Sequence, residues 1–319
     1  MPNYQGVWDI TTQFQYAAEW PVPPSAVGIF AGGYGSGGVG VNVIQEVDIL
    51  SAGNAVDFGD LSTVRLEMAS VASSTRGVFG GGSEDSGNAT AKNIMEYITL
   101  ANKGNVTDFG DLSVAKRNLT GMGSSTRGIF SGGYTTGAVN TIEYITIANT
   151  GNVTDFGDLL ATLFRGTATS SPTRGLIAGG HSASNVIQYV TIASTGNATD
   201  FGDLTAGRDD LAACSSATRA VFGGGSTGSK SNVLDYVTIA STGNATDFGD
   251  LTTATEYLAA TSATSIDRGV FGGGLTSSFV DTIEFISIPS TGNATDFGDL
   301  LSDATLSITA CSEAHGGIA

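Results

Sequence analysis

Beyond the first 25 residues, where TTQFQYAAE between Trp8 and Trp20 could form a short helix, apolar and polar positions in this chain follow no helical period. They fall instead into short runs that end in glycine clusters or Gly-Asn turns. The run from Asn232 to Ala240, NVLDYVTIA, is dense in β-branched and aromatic residues, which favour strands. Strict alternation is missing too. Ile145 and Ile147 fall on one face of such a run, and Ile142 and Tyr144 on the other. Strands apolar on both faces belong to sheets packed on both sides.

The runs repeat. DFGDL begins at Asp57, Asp108, Asp155, Asp200, Asp247 and Asp296. A glycine-terminated motif of the RGVFGGG type keeps pace from Val27, Arg76, Arg127, Arg174, Arg219 and Arg268. Between them lies an EYITI-type motif, read from Glu46, Glu96, Glu143, Gln188, Asp235 and Glu284. Six tandem copies thus fill nearly the whole chain, each predicting four strands, a to d. Four short strands per repeat of this length predict an all-β, six-bladed propeller with four-stranded antiparallel blades. Strand a consists of small residues, as fits the strands that converge on an axis. The first copy lacks a strand a, and the chain ends on one, LSITACS from Leu306. The C-terminal strand is therefore expected to close the first blade. A seventh blade would need more residues than remain.

Composition narrows the function. With 13 Lys and Arg against 30 Asp and Glu, the net charge is −17, which disfavours nucleic acid as a partner. No apolar run is long enough for a membrane span, and no secretory signal pattern opens the chain. Cys214 and Cys311 sit at equivalent places in non-adjacent blades, so both are expected free and buried. No nucleophile elbow, P-loop or zinc motif occurs. The two histidines, His181 and His315, are too few for a copper or zinc site, so no metal or cofactor is expected. The paired aspartates of DFGDL offer oxygen ligands of the kind Ca²⁺ takes, but their six-fold recurrence favours turn capping. Turn formation by Gly-Asn likewise accounts for most of the N-x-[ST] sequons. The repeated acid and the Arg that opens strand b are expected to pair with each other.

The glycine doublet, the strand c aromatic (Tyr97, Tyr144, Tyr189, Tyr236, Phe285) and the strand d aromatic (Phe58 to Phe297) resemble kelch repeats, with Phe in place of the usual Trp. In the first copy Val47 takes the Tyr place, 11 residues before Phe58 rather than 12. The fuller wording, TRGVFGGG with YVTIASTGNATDFGDL, resembles kelch-like virion and tail-fibre-type proteins of marine tailed phages. That resemblance implies a non-enzymatic virion structural protein. Its partners would be other virion proteins, further copies of itself, and a host-surface glycan or protein. Tail-fibre or surface adhesion is the expected role, with two alternatives: a purely structural decoration, or, less favoured, a carbohydrate-active enzyme.

The copies differ mainly in their b–c loops and d–a connections, which share one end of an up-and-down blade. That end is the expected ligand face, with Tyr34, Tyr134, Phe164, Tyr257 and Phe279 as anchors. Residues 1–25 are expected to form a separate docking arm, with Trp8, Phe14 and Trp20 as its contact residues, ahead of a propeller expected to span 26–319.

Overall fold

The structure, a computed structural model, describes residues 26–35, 39–84, 90–263, 267–301 and 306–312. The expected arm with Trp8, Phe14 and Trp20 lies outside them, as does His315. The described residues form 24 strands in six antiparallel sheets of four. No helix among them is long and apolar enough to cross a membrane.

Blade 1 is built from both ends of the propeller. Its strand a is Thr309–Ser312, followed by Val27–Ala31, Val43–Asp48 and Val56–Asp60. The closing strand pairs Ile29 with Cys311 and Phe30 with Ala310. Blades 2 to 6 run in order through 69–111, 120–163, 166–203, 212–250 and 259–299. The doubly apolar strands have a clear purpose here. Six separate clusters of buried side chains fill the interfaces between adjacent blades, one for each. Each strand b contributes a fully enclosed side chain, for example Phe30, Phe79, Phe130 and Phe222. Cys214 and Cys311 are free and buried among them. Burial pushes the Cys311 thiol up to about 12.

The repeated turns lock neighbouring blades together. In the turn before strand d of blade 3, the Gly151 N–H donates to Phe109 O at 2.7 Å, and the Val153 N–H to Asp111 O at 3.0 Å. Asn152 Oδ1 accepts from the Asp111 N–H at 3.0 Å. Equivalent bonds run round the ring to Asn54, which accepts from Asp299. They cover the outer edge of every strand d, which would otherwise invite pairing with another chain. The asparagines of the sequons at 105, 152, 197, 244 and 293 thus have this turn role. The central glycine of DFGDL allows the approach: a Cβ on Gly110 would lie 2.4 Å from the Gly151 carbonyl oxygen.

Two details differ from the sequence reading. First, the strand b arginines do not pair with the repeated acids. Arg127 lies over the Tyr144 ring, 4.4 Å from its centroid, and donates to Ile192 O of the next blade at 2.7 Å. Arg76, Arg174, Arg219 and Arg268 repeat this strap. The acids instead meet cations from the d–a connections. Arg65 pairs with Glu96, Lys116 with Glu143 at 2.6 Å, and Arg208 with Asp235 at 2.6 Å, all buried. Second, the first copy shifts by one residue. Gln45 faces Phe30 as Glu96 faces Phe79, so Gln45 is the repeat's acid place and Glu46 its tyrosine place. Blade 1 lacks the arginine, carrying Val27, and Glu46 reaches Lys103 of blade 2 at 2.6 Å instead.

Candidate functional site

The uniform end of the disc carries the a–b and c–d turns. The other end is irregular, and at its centre six equivalent positions hold six different residues. Each d–a connection must turn from the rim back to the axis. At that point one residue enters the left-handed region: Glu67 (φ 59°), Asn118 (53°), Arg165 (60°), Asp210 (52°), Tyr257 (60°) and Ser307 (53°). Among L-residues only Asn and Asp visit this region readily, so Tyr257 and Arg165 carry strain of about 1–2 kcal/mol each. A closed circle of backbone hydrogen bonds holds them. Asn118 N–H donates to Glu67 O at 2.8 Å, Asp210 to Arg165 at 2.8 Å, and Tyr257 to Asp210 at 2.9 Å. Ser307 donates to Tyr257 at 3.2 Å, and Glu67 returns to Ser307 at 3.2 Å.

The ring frames a depression of about 90 Å³. Its floor is a collar of Met68, Leu119, Leu211, Leu258 and Ile308, notched at Gly166. Below the collar the small strand a residues enclose a further 120 Å³ on the axis. Charge is concentrated at the mouth. Arg117 bonds Glu67 at 2.8 Å, Arg165 lies 3.5 Å from Asp210, and Lys230 lies 2.6 Å from Glu256.

The five aromatics expected to anchor a ligand all lie at this end, in two groups. Tyr134 and Phe164 are in contact, with centroids 5.2 Å apart. Phe164 in turn stacks on His181 at 4.4 Å with planes 22° apart. His181 is exposed and both aromatics are half-buried, so this stack presents a surface. On the opposite side Tyr257 and Phe279 pack on Tyr34, Leu66 and Leu306. Tyr34 is only 8% exposed and supports this patch from beneath rather than displaying itself. The charged members of the mouth leave little trace in the sequence. Their signal is the varied pairs Phe164-Arg165, Asp209-Asp210 and Glu256-Tyr257 at the matching place in successive copies.

Electrostatics sharpen the mouth. Burial raises Asp210 to about 7, helped by Asp209 and Glu256 and opposed by Arg165 and the Tyr257 hydroxyl. Burial likewise raises Asp209 and Tyr257. For Arg165 burial works against the charge, but Asp210, Tyr257, Asp209 and Glu67 together outweigh it and hold the guanidinium charged. A carboxyl whose folded pKa is raised stabilises the fold while protonated. That contribution is full at acid pH and is lost as pH climbs through about 7. Asp210→Asn should therefore stabilise the protein more at pH 8 than at pH 5, as measured by urea unfolding at both values.

Among the described residues, no three His, Cys, Asp or Glu side chains converge as a metal site requires. The chain matches no protein-family model and no curated protein.

Proposed function

We propose that this six-bladed propeller is a non-enzymatic recognition module that binds a surface glycan at its irregular end. The observation that carries this reading is the contrast between the two ends. One face repeats the same turns six times. The other places six dissimilar side chains round one depression, flanked by two aromatic patches. A flat aromatic stack beside clustered hydrogen-bonding groups suits the C–H face and hydroxyls of a sugar. The resemblance of the repeats to kelch-like phage proteins supplies the setting: a virion or tail-fibre surface component. Trp8, Phe14 and Trp20 would dock it to another virion protein.

Immobilised bacterial surface polysaccharides test this reading. Phe164→Ala and Tyr134→Ala should each weaken binding about 10-fold or more, as central aromatic anchors do, without lowering the melting temperature. Thr195→Ala, at the uniform end, should bind as the parent does. No binding to any polysaccharide, or equal binding by all variants, would refute the proposal.

A second reading, glycoside cleavage, rests on Asp210, which stays protonated close to neutrality as a general acid must. Release of reducing ends from the same panel, abolished in Asp210→Asn, would establish it.

A further inference from the structure

The buried ion pairs follow a rule that one blade breaks. In blade 2, Arg65 Nη1 donates to Gly81 O and Ile94 O at 3.1 Å each, and Nη2 reaches the Glu96 carboxylate. In blade 5, Arg208 repeats this with Gly224 O at 2.8 Å, Val233 O at 2.7 Å and Asp235 at 2.6 Å. In blade 3 the cation is Lys116, set against Glu143 and Thr141 Oγ1. Blades 2 and 5 thus build a seat from two backbone carbonyls and one acid, and in blades 2, 3 and 5 the preceding connection supplies one positive charge to the acid. Where the connection has no cation, the acid is usually neutral as well. By place in the sequence, Leu163 accompanies Gln188 in blade 4, and Thr305 accompanies Gln45 in blade 1.

Blade 6 keeps the acid and lacks the cation. Glu284 is 8% exposed, and the connection residue opposite it is Thr255. Among the described residues, which include every Lys and Arg of the chain, no salt bridge reaches Glu284. Thr252 donates to the carboxylate from its N–H and from its hydroxyl, as Thr205 does to Asp235. Those bonds orient the acid but leave its charge unbalanced, and burial raises its pKa. Where Arg208 lies in blade 5, blade 6 has a cavity of about 50 Å³, with Gly273, Thr282, Glu284, Thr252 and Thr255 on its polar side and apolar side chains such as Leu258 and Phe271 on the other. Gly273 N–H donates to Thr282 O at 3.1 Å, as Gly224 does to Val233, so the carbonyl framework is the same.

We infer that this cavity is a seat for one monovalent alkali cation, Na⁺ or K⁺, in the place that an arginine or lysine side chain takes in the sister blades. The donors on the polar side of the cavity are all oxygens, which suits a hard cation. One carboxylate per seat matches a single positive charge, the balance that the protein itself keeps in three other blades. The volume admits a bare ion with a water and excludes larger organic cations. This inference is independent of what the irregular end binds.

The test compares melting in NaCl, KCl and tetramethylammonium chloride at equal ionic strength. The parent should melt about 2–4 °C higher in at least one alkali salt at roughly ten times the dissociation constant. Glu284→Gln should lose that difference. Thr255→Arg, which supplies its own cation, should be stable in tetramethylammonium and insensitive to the alkali ion. Crystals soaked in thallium(I) should show an anomalous peak beside Glu284 in the parent and none in Thr255→Arg. Equal melting of the parent in all three salts, an undiminished salt difference in Glu284→Gln, or no thallium peak in the parent would each overturn the assignment.

Discussion

Lys116→Leu should cost about 3–5 kcal/mol of unfolding free energy, and adding Glu143→Gln in the same chain should restore most of it. The two side chains are 0% and 3% exposed, with the ammonium 2.6 Å from Glu143 Oε2, a close ion pair off the line of a hydrogen bond. Removing the cation alone strands a buried carboxylate, which keeps only the Ser113 hydroxyl as a polar partner. Removing both charges recreates a solution that the protein already uses one interface further on. There Leu163 stands in the connection, and Gln188 Oε1 accepts the Leu160 N–H at 2.9 Å. Urea unfolding of the parent, the single variant and the double variant measures both steps. A single variant no less stable than the double would mean that the pair is not a buried, mutually dependent unit.

A chain ending at residue 301 should fail to form a native propeller. The missing strand pairs with Val27–Ala31, and its contacts also tie together the blades on either side. Ser70 Oγ donates to Ala310 O at 2.8 Å from blade 2, and Ser312 Oγ donates to Ser262 O of blade 6 at 2.6 Å. Leu306 and Ser307 complete the outer bridge to Tyr34 and the hydrogen-bond circle at the mouth. The loss spans two blade interfaces and should exceed about 5 kcal/mol, the lower end of the stability that whole domains possess. A circular permutant that carries 302–314 ahead of Ala26 should fold, since it restores blade 1 in simple order with the four-residue a–b turn of the sister blades. Circular dichroism and sedimentation of both chains decide the matter. A truncated chain that melts cooperatively like the parent would show that the ring does not depend on this closure.

The architecture was legible because the chain states it six times. Turn glycines, strand aromatics and the orphan strand at the end all recur or complete a count. The register of the first copy was misread because Glu46 satisfied the acid place in composition. The spacing held the answer: Glu46 precedes Phe58 by the same 12 residues that separate Tyr97 from Phe109. Recurrence also misled. Five arginines opening strand b looked like the natural partners of the acids, yet they stack on aromatics and hold carbonyls of the next blade. The true partners, Arg65, Lys116 and Arg208, occur in only three copies, and their signal is that cation and acid come and go nearly together. The ring at the mouth was the least legible part. A left-handed backbone at Glu, Arg, Tyr or Ser leaves no mark in residue type, and the six residues share only a place in the connection.

Which end binds can be tested by blocking one end at a time. The native thiols are buried, and burial raises both pKa values, so a maleimide should react with an introduced exposed cysteine instead. Ser277→Cys places it on a b–c loop of the irregular end, and Thr195→Cys on a c–d turn of the uniform end; both positions are exposed. Each variant would carry a bulky polyethylene glycol and be applied to the polysaccharide that the parent binds. Loss of binding with the polymer at 277 and retention at 195 is the expected result. Retention at 277 with loss at 195 would place recognition on the uniform face and contradict the account.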